Sequence, residues 1–185
     1  MRLGGLISRQ LLQGLAGLIG RLFPSWDRLS FVMEPQQQTN WCWSALTVSV
    51  SHFYDPSSVW TQCLLANDQF AQTSCCANGG SAQCNRGWYP EQSLPRTGNL
   101  GRHELAAASF QSIDREIDGG RPVGVRVDWA GGGAHAIAIS GYLEGTVNLV
   151  AVADPWYGAS DVASSVFQGA YQGSGTWTET YYTKG

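Results

Sequence analysis

Apolar positions at the start of the chain recur three and four residues apart. Leu3, Ile7, Leu11, Leu15, Leu18 and Leu22 form one stripe, and Arg2, Arg9, Gln13 and Arg21 fall mostly off it. That spacing predicts an amphipathic helix over 1–23, ended by Pro24. Arginines interrupt the apolar run, so it does not read as a membrane span. Arg9 also breaks any signal-peptide core, and no small-residue cleavage site follows. Residues 1–24 are therefore set apart as a delivery, membrane-surface or pro-segment, and 25–185 are expected to form one domain. A second helix is predicted from Trp41 to Tyr54, with Cys42 in its first turn and Pro56 as its stop. Ser57-Ser58 is expected to cap a third, running through Val59, Trp60 and Leu65. Gln72 to Asn99 reads as a long polar loop. His103 to Phe110 and Ser112 to Ile117 read as helical, ended by Gly119-Gly120. The period then shifts to that of strands: Pro122–Trp129, His135–Tyr142, Val147–Asp154 and Thr176–Thr183. Helices first and antiparallel-looking strands second predict an α+β, two-lobed fold.

Composition narrows the picture. Of the 185 residues, 43% are hydrophobic and 14% charged, against about 25% charged in an average protein, which argues against disorder. The net charge is −3, and Lys184 is the only lysine. With no basic stripe in the globular part, no nucleic-acid partner is expected.

Five cysteines are present: Cys42, Cys63, Cys75, Cys76 and Cys84. An odd number leaves one thiol over, and Cys42 is separated from the other four. A bond between adjacent Cys75 and Cys76 would distort the peptide joining them. Two pairings remain open: Cys63–Cys75 with Cys76–Cys84, or Cys63–Cys76 with Cys75–Cys84. Either staples the loop around Ala77-Asn78-Gly79-Gly80 and fits an oxidising compartment. No C-x-x-C spacing occurs, so no metal and no cofactor are expected.

The densest chemistry lies in Gln36-Gln37-Gln38-Thr39-Asn40-Trp41-Cys42-Trp43-Ser44-Ala45. A thiolate at Cys42 would be stabilised by the unpaired N–H groups of a helix start. The Gln36 amide can donate to an oxyanion, and the flanking aromatics, Trp43 among them, can keep water off the sulfur. Three histidines could serve as its base. His52 lies ten residues on along the same helix, about 15 Å away, which is out of reach. His103 reads as a surface or capping residue. His135 follows Gly131-Gly132-Gly133 and opens an apolar strand, at the mouth where a general base belongs. The next strand ends in Asp154-Pro155-Trp156. Asp154 can orient the imidazole, and Trp156 can shield their hydrogen bond.

Gln36, Cys42-Trp43, the Gly-rich segment before His135, and Asp154-Pro155-Trp156 resemble the papain-like cysteine proteases. Gln-Gln-Thr-Asn-Trp-Cys-Trp-Ser-Ala and the Cys75-Cys76 pair resemble more closely the avirulence-type cysteine protease effectors of plant-associated bacteria. The likeness covers about Val32 to Thr183. It implies a papain-like fold whose N-terminal helical lobe carries Cys42 and whose C-terminal antiparallel β-sheet lobe carries His135 and Asp154. It implies a cysteine endopeptidase with a Cys42-His135-Asp154 triad, a thioester acyl-enzyme, and an oxyanion held by Gln36 and the Cys42 N–H. The expected substrate is a protein or peptide. The expected state is a monomer, secreted or delivered to a host cell, with membrane-surface contact through the N-terminal helix. The sequence departs from the family pattern in its short Cys42-to-His135 interval and in having Asp154 where Asn is usual. Residues 1–24 are also too short for a full inhibitory prodomain. Two other readings stay open: another acyl-transfer enzyme on this fold (transglutaminase, deamidase or peptidoglycan amidase), or a non-catalytic membrane-associated binding module.

Overall fold

The computed structural model describes residues 26–185, so the expected helix over 1–23 lies outside the described residues. The elements run β1 (Asp27–Arg28), α1 (Cys42–Tyr54), α2 (Gln62–Phe70), α3 (Pro90–Ser93), a 3-10 turn (Leu94–Thr97), β2 (Leu100–Glu104), α4 (Phe110–Asp118), β3 (Val123–Trp129), β4 (Ala134–Leu143), β5 (Leu149–Asp154), β6 (Gly158–Ala163), α5 (Ser164–Ala170) and β7 (Gly175–Thr183). All strand pairs are antiparallel. The path is β2-β7-β3-β4-β5-β6, with β1 pairing β4 off it, seven strands in all among the described residues. A mixed helical and antiparallel α+β architecture is thus present.

Side-chain size, alternating along the central strands, decides how the layers pack. Val123, Val125 and Val127 of β3 and Ile137 and Ile139 of β4 face one side, in a core with α4 and α5. Ala136 and Ala138 of β4 and Ala153 of β5 face the other, in a core with Trp43, Leu46 and Val50 of α1. A Cβ at Gly124 on that second side would lie 3.1 Å from Tyr181 and 3.4 Å from Leu46. Small side chains therefore let α1 sink close onto the sheet, while branched ones fill the deeper gap behind it.

Two disulfides form, Cys63–Cys76 and Cys75–Cys84, and Cys42 is free. That is one of the two pairings left open by the sequence. The second bond fixes a loop that is also tied to the start of α1. The Trp41 indole N–H donates to Cys84 O at 2.8 Å, and the Trp43 indole N–H to Arg86 O at 2.9 Å. Asn40 donates two further bonds to Asn85, from its backbone N–H to Oδ1 and from its side-chain amide to the carbonyl. Gly79 suits the close packing here, because a Cβ would stand 2.9 Å from the Gln38 amide, 3.0 Å from the Trp41 ring and 3.1 Å from Cys75 O.

Three expectations need correction. The helix after Pro56 starts at Gln62, capped by Thr61, whose hydroxyl accepts from Leu64 N–H. Ser57 is instead held in a turn, its N–H and hydroxyl both donating to Asp55. His103 lies on strand β2, not on a helix, because β7 supplies a long-range partner, pairing His103 with Tyr181. Short α3, β6 and α5 fall where no element was expected.

Ala138→Leu adds bulk beneath α1 and is expected to cost about 1–3 kcal/mol in chemical denaturation, with slower reaction of Cys42 toward epoxide inhibitors. Cys75→Ser combined with Cys84→Ser is expected to cost about 2–4 kcal/mol by the same assay. Peptide mapping without reductant should recover the Cys63–Cys76 and Cys75–Cys84 pairs.

Candidate active site

Cys42 is the first residue of α1, and the preceding Trp41 makes no side-chain cap. The N–H groups of that first turn have no partner within the helix, so they and the dipole are available to a negative charge. The Cys42 thiol is half-buried and lines a cleft of about 440 Å³. Gln36, Tyr89, His135 and Trp156 line the same cleft.

His135 sits near the start of β4, after Gly132 and Gly133, whose φ values of 90° and 84° suit glycine alone. In the ladder Ala138 pairs with Ala153, which brings Asp154 at the end of β5 diagonally across from His135. The His135 Nε2–H donates to Asp154 Oδ1 at 2.8 Å. Nε2 being spent, Nδ1 is the nitrogen left for the thiol. Trp129 stacks on the imidazole at 6.0 Å between ring centres, and Tyr157 meets it edge-on at 6.2 Å.

Asp154 is buried, yet every demand of its charge is met. Besides His135 it accepts from the Trp156 N–H at 2.7 Å, the Tyr157 N–H at 2.9 Å and the Tyr171 hydroxyl at 2.8 Å. Burial alone would raise its pKa. The His135 bond and charge and the two backbone donors overcome that and hold the carboxyl below its ordinary value. Burial likewise pulls His135 down, but the Asp154 hydrogen bond and the facing Cys42 push it up to about 9. The arrangement favours an ionised Asp154 and a protonated His135 at neutral pH.

The other expected site residues divide. Gln36 lines the cleft, but its Nε2 donates to Gln38 O at 2.8 Å and Thr39 O at 2.9 Å, so both amide hydrogens are engaged. Its Oε1 is buried and unpaired among the described residues. Trp156 lines the cleft but is 56% exposed, so the His135–Asp154 bond is covered mainly by Trp129, Tyr157 and Tyr171. Trp43 does not face the thiol. It is fully buried, edge-on to Phe70, and its indole anchors the loop at Arg86. The expected shielding by Trp43 is corrected accordingly: the residue after Cys42 is buried in the core. The four remaining cysteines are in disulfides, and none of them lines the cleft.

His52 is bonded to Glu34 and faces Ser58 O, and His103 is bonded to Glu179, so neither approaches Cys42. Sequence reasoning missed Tyr171, Trp88, Tyr89 and Arg126. The Gly87-Trp88-Tyr89 wall had a signal in the cysteine that staples the loop before it. Tyr171 had none, being an isolated aromatic far along the chain from Asp154.

A family model described as papain-like cysteine protease AvrRpt2 matches residues 26–172, most of the chain. The chain belongs to that family of cysteine proteases and is a hydrolase. No curated protein matches it.

The pH dependence has a definite sign. A raised His135 pKa means that its proton stabilises the fold fully below the ordinary imidazole value, about 6.5, and that this contribution is lost as pH rises through about 9. Asp154 acts oppositely, contributing above the ordinary carboxyl value and losing that contribution as pH falls. Inactivation by an epoxide that needs the imidazolium should therefore decline above about pH 9. Asp154→Asn should move that decline to lower pH by about one unit or more, since one unit is about 1.4 kcal/mol. An unmoved limb would contradict the assignment of Asp154 as the carboxylate that raises His135.

Proposed function

We propose that this member of the family is a cysteine endopeptidase with a Cys42-His135-Asp154 triad in a papain-like two-lobed arrangement. One observation carries the reading. His135 spends Nε2 on a buried, fully satisfied carboxylate, at the mouth of the cleft where the thiol of Cys42 opens an uncapped helix.

The chemistry runs as follows on this reading. Cys42 and His135 form a thiolate–imidazolium pair. The sulfur attacks a substrate carbonyl, forming an S–C bond and an oxyanion. The Cys42 N–H, free within its helix, donates to that oxygen. Gln36 supplies the second donor by releasing one of its two loop carbonyls. As the C–N bond breaks, His135 gives its proton to the leaving amine. Water, deprotonated by His135, then hydrolyses the thioester and restores the thiol. Asp154 keeps Nδ1 turned toward the sulfur throughout.

A protein substrate follows from the protease family. Action as a monomer, and delivery of a secreted bacterial effector into a host cell, belong to the proposal; the second rests on the family. Contact of residues 1–24 with a membrane surface is also part of it, resting on their arginine-flanked apolar stripe. No helix among the described residues is long and apolar enough to cross a membrane.

The test is labelling by an epoxide inhibitor of papain-like proteases, together with product analysis on a protein digest. Wild type should label at Cys42 and generate new amino termini. Cys42→Ala and His135→Ala should lose both. Gln36→Ala should label but turn over about 10²–10³-fold more slowly, the usual cost of one oxyanion donor. Asp154→Ala should be impaired less than either Cys42→Ala or His135→Ala. Labelling without new amino termini, with amide hydrolysis or transfer on side chains instead, would replace the protease reading by another acyl transfer. Unreactive Cys42 in a properly folded protein would leave a binding module.

A further inference from the structure

Among the described residues that line the cleft, Arg126 alone carries a permanent charge; its other walls are aromatic, amide or small. Arg126 lies on β3, on the face turned toward α1, directly across from Glu179 of β7 and Ala136 of β4. Its Nε donates to Asp128 Oδ1 at 2.8 Å, and Nε lies 3.6 Å from Glu179 Oε1. Its Cζ stands 5.4 Å from the centre of the Tyr89 ring. Nη1 and Nη2 make no hydrogen bond among the described residues. The guanidinium is thus gripped through Nε and one flank, and its outer fork is unspent.

The neighbouring carboxylates leave the N–H groups of that fork free. Glu179 Oε2 already accepts from His103 Nε2 at 2.8 Å and from the Tyr181 hydroxyl at 2.7 Å. The same hydroxyl reaches Glu91 at 3.2 Å. Asp128 is half-exposed, so solvent screens its attraction. None of the three carboxylates lines the cleft. Asp128 and Glu179 hold Arg126 through Nε, and Nη1 and Nη2 remain a planar pair of N–H donors on a residue that lines the cleft, the kind of fork that matches a carboxylate bidentately.

We propose that Arg126 is a specificity residue that selects substrates with an Asp or Glu side chain close to the scissile bond. The inference rests on the endopeptidase reading and names its substrate class. The acidic side chain would lie along the cleft beside Tyr89, taking Nη1 and Nη2 of Arg126. A neutral amide in its place would keep the shape and lose the charge-assisted pair.

The test uses quenched fluorescent peptides carrying Glu, Gln or Lys in turn at each position flanking the scissile bond. At one position wild type should cleave the Glu peptide with kcat/KM about tenfold or more above the Gln peptide, the worth of a charge-assisted hydrogen bond. Arg126→Gln should bring that ratio to about one, and Arg126→Glu should turn the preference toward Lys. Arg126→Lys should keep part of the Glu preference. Epoxide labelling of Cys42 in every variant reports whether the site is still assembled, and the wild-type ratio needs no variant at all. Equal cleavage of Glu and Gln peptides by wild type at every position would overturn the proposal while leaving the protease reading intact. So would a Glu preference that persists in Arg126→Gln. A wild-type protein that neither labels nor cleaves would overturn both.

Discussion

The close seating of helix α1 on the small-residue face of the sheet is the constraint on which the site depends. Gly124, Ala136, Ala138 and Ala153 present almost no side chain to the helix, and Leu46 and Trp43 fill the shallow gap. A helix seated one methylene further out would carry Cys42 away from His135, because the two lie on separate layers with no covalent tie. Packed interiors do not deform smoothly, so the helix-to-sheet spacing is a discrete property of those alanines. The same seating brings both indoles of the Trp-Cys-Trp run against the stapled loop. The cleft wall at Gly87-Trp88-Tyr89 is thereby fixed relative to the thiol.

The second layer of control is electrostatic. A buried carboxylate is costly unless its lone pairs are filled, and Asp154 has four donors from three directions: one strand, one turn and one distant tyrosine. Two of these are backbone N–H groups of the turn that follows it, so the Asp-Pro-Trp-Tyr segment makes its own anion cradle. Tyr171 adds the fourth donor and stacks on Trp129, which in turn stacks on His135. The imidazole is therefore pinned by the carboxylate at its edge and by an indole on its face. Burial and charge pull His135 in opposite directions, and the charge prevails because Asp154 is itself kept ionised.

Much of this was legible in the sequence because the relevant signals are local. The first turn of α1 at Cys42, the strand after the triple glycine and the strand ending at Asp154 each carry their own period and their own stop. Strand register then brings His135 and Asp154 together, since antiparallel neighbours on adjacent strands meet diagonally. What was not legible depends on distant partners. Leu100–Glu104 becomes a strand only because β7 lies beside it, and its own composition favoured a helix start at His103. Trp43 next to a nucleophile suggests shielding, but side-chain direction along a helix is set by which face meets the sheet. The Tyr171 bond to Asp154 and the placement of Arg126 in the cleft arise from tertiary packing, and no spacing along the chain encodes them.

The state of Gln36 bears on how such a site discriminates. Its two amide hydrogens are held by carbonyls of its own turn, and the turn is closed further by the Trp41 N–H on Gln38 O. On the proposed mechanism one of these bonds must be exchanged for a bond to the reacting oxygen. A neutral ground-state carbonyl offers no gain over the carbonyl already held, since neutral hydrogen bonds are each worth about 1 kcal/mol net. An oxyanion does, because a bond to a charged acceptor is roughly twice as strong. The exchange therefore becomes favourable only as negative charge develops. An occupied donor, rather than a free one, concentrates its contribution in the transition state, where interaction energy raises turnover instead of merely tightening substrate binding. The buried Oε1 of the same side chain, unpaired among the described residues, is consistent with an amide oriented by its donors alone, and on the proposed mechanism its nitrogen is the end that changes partner.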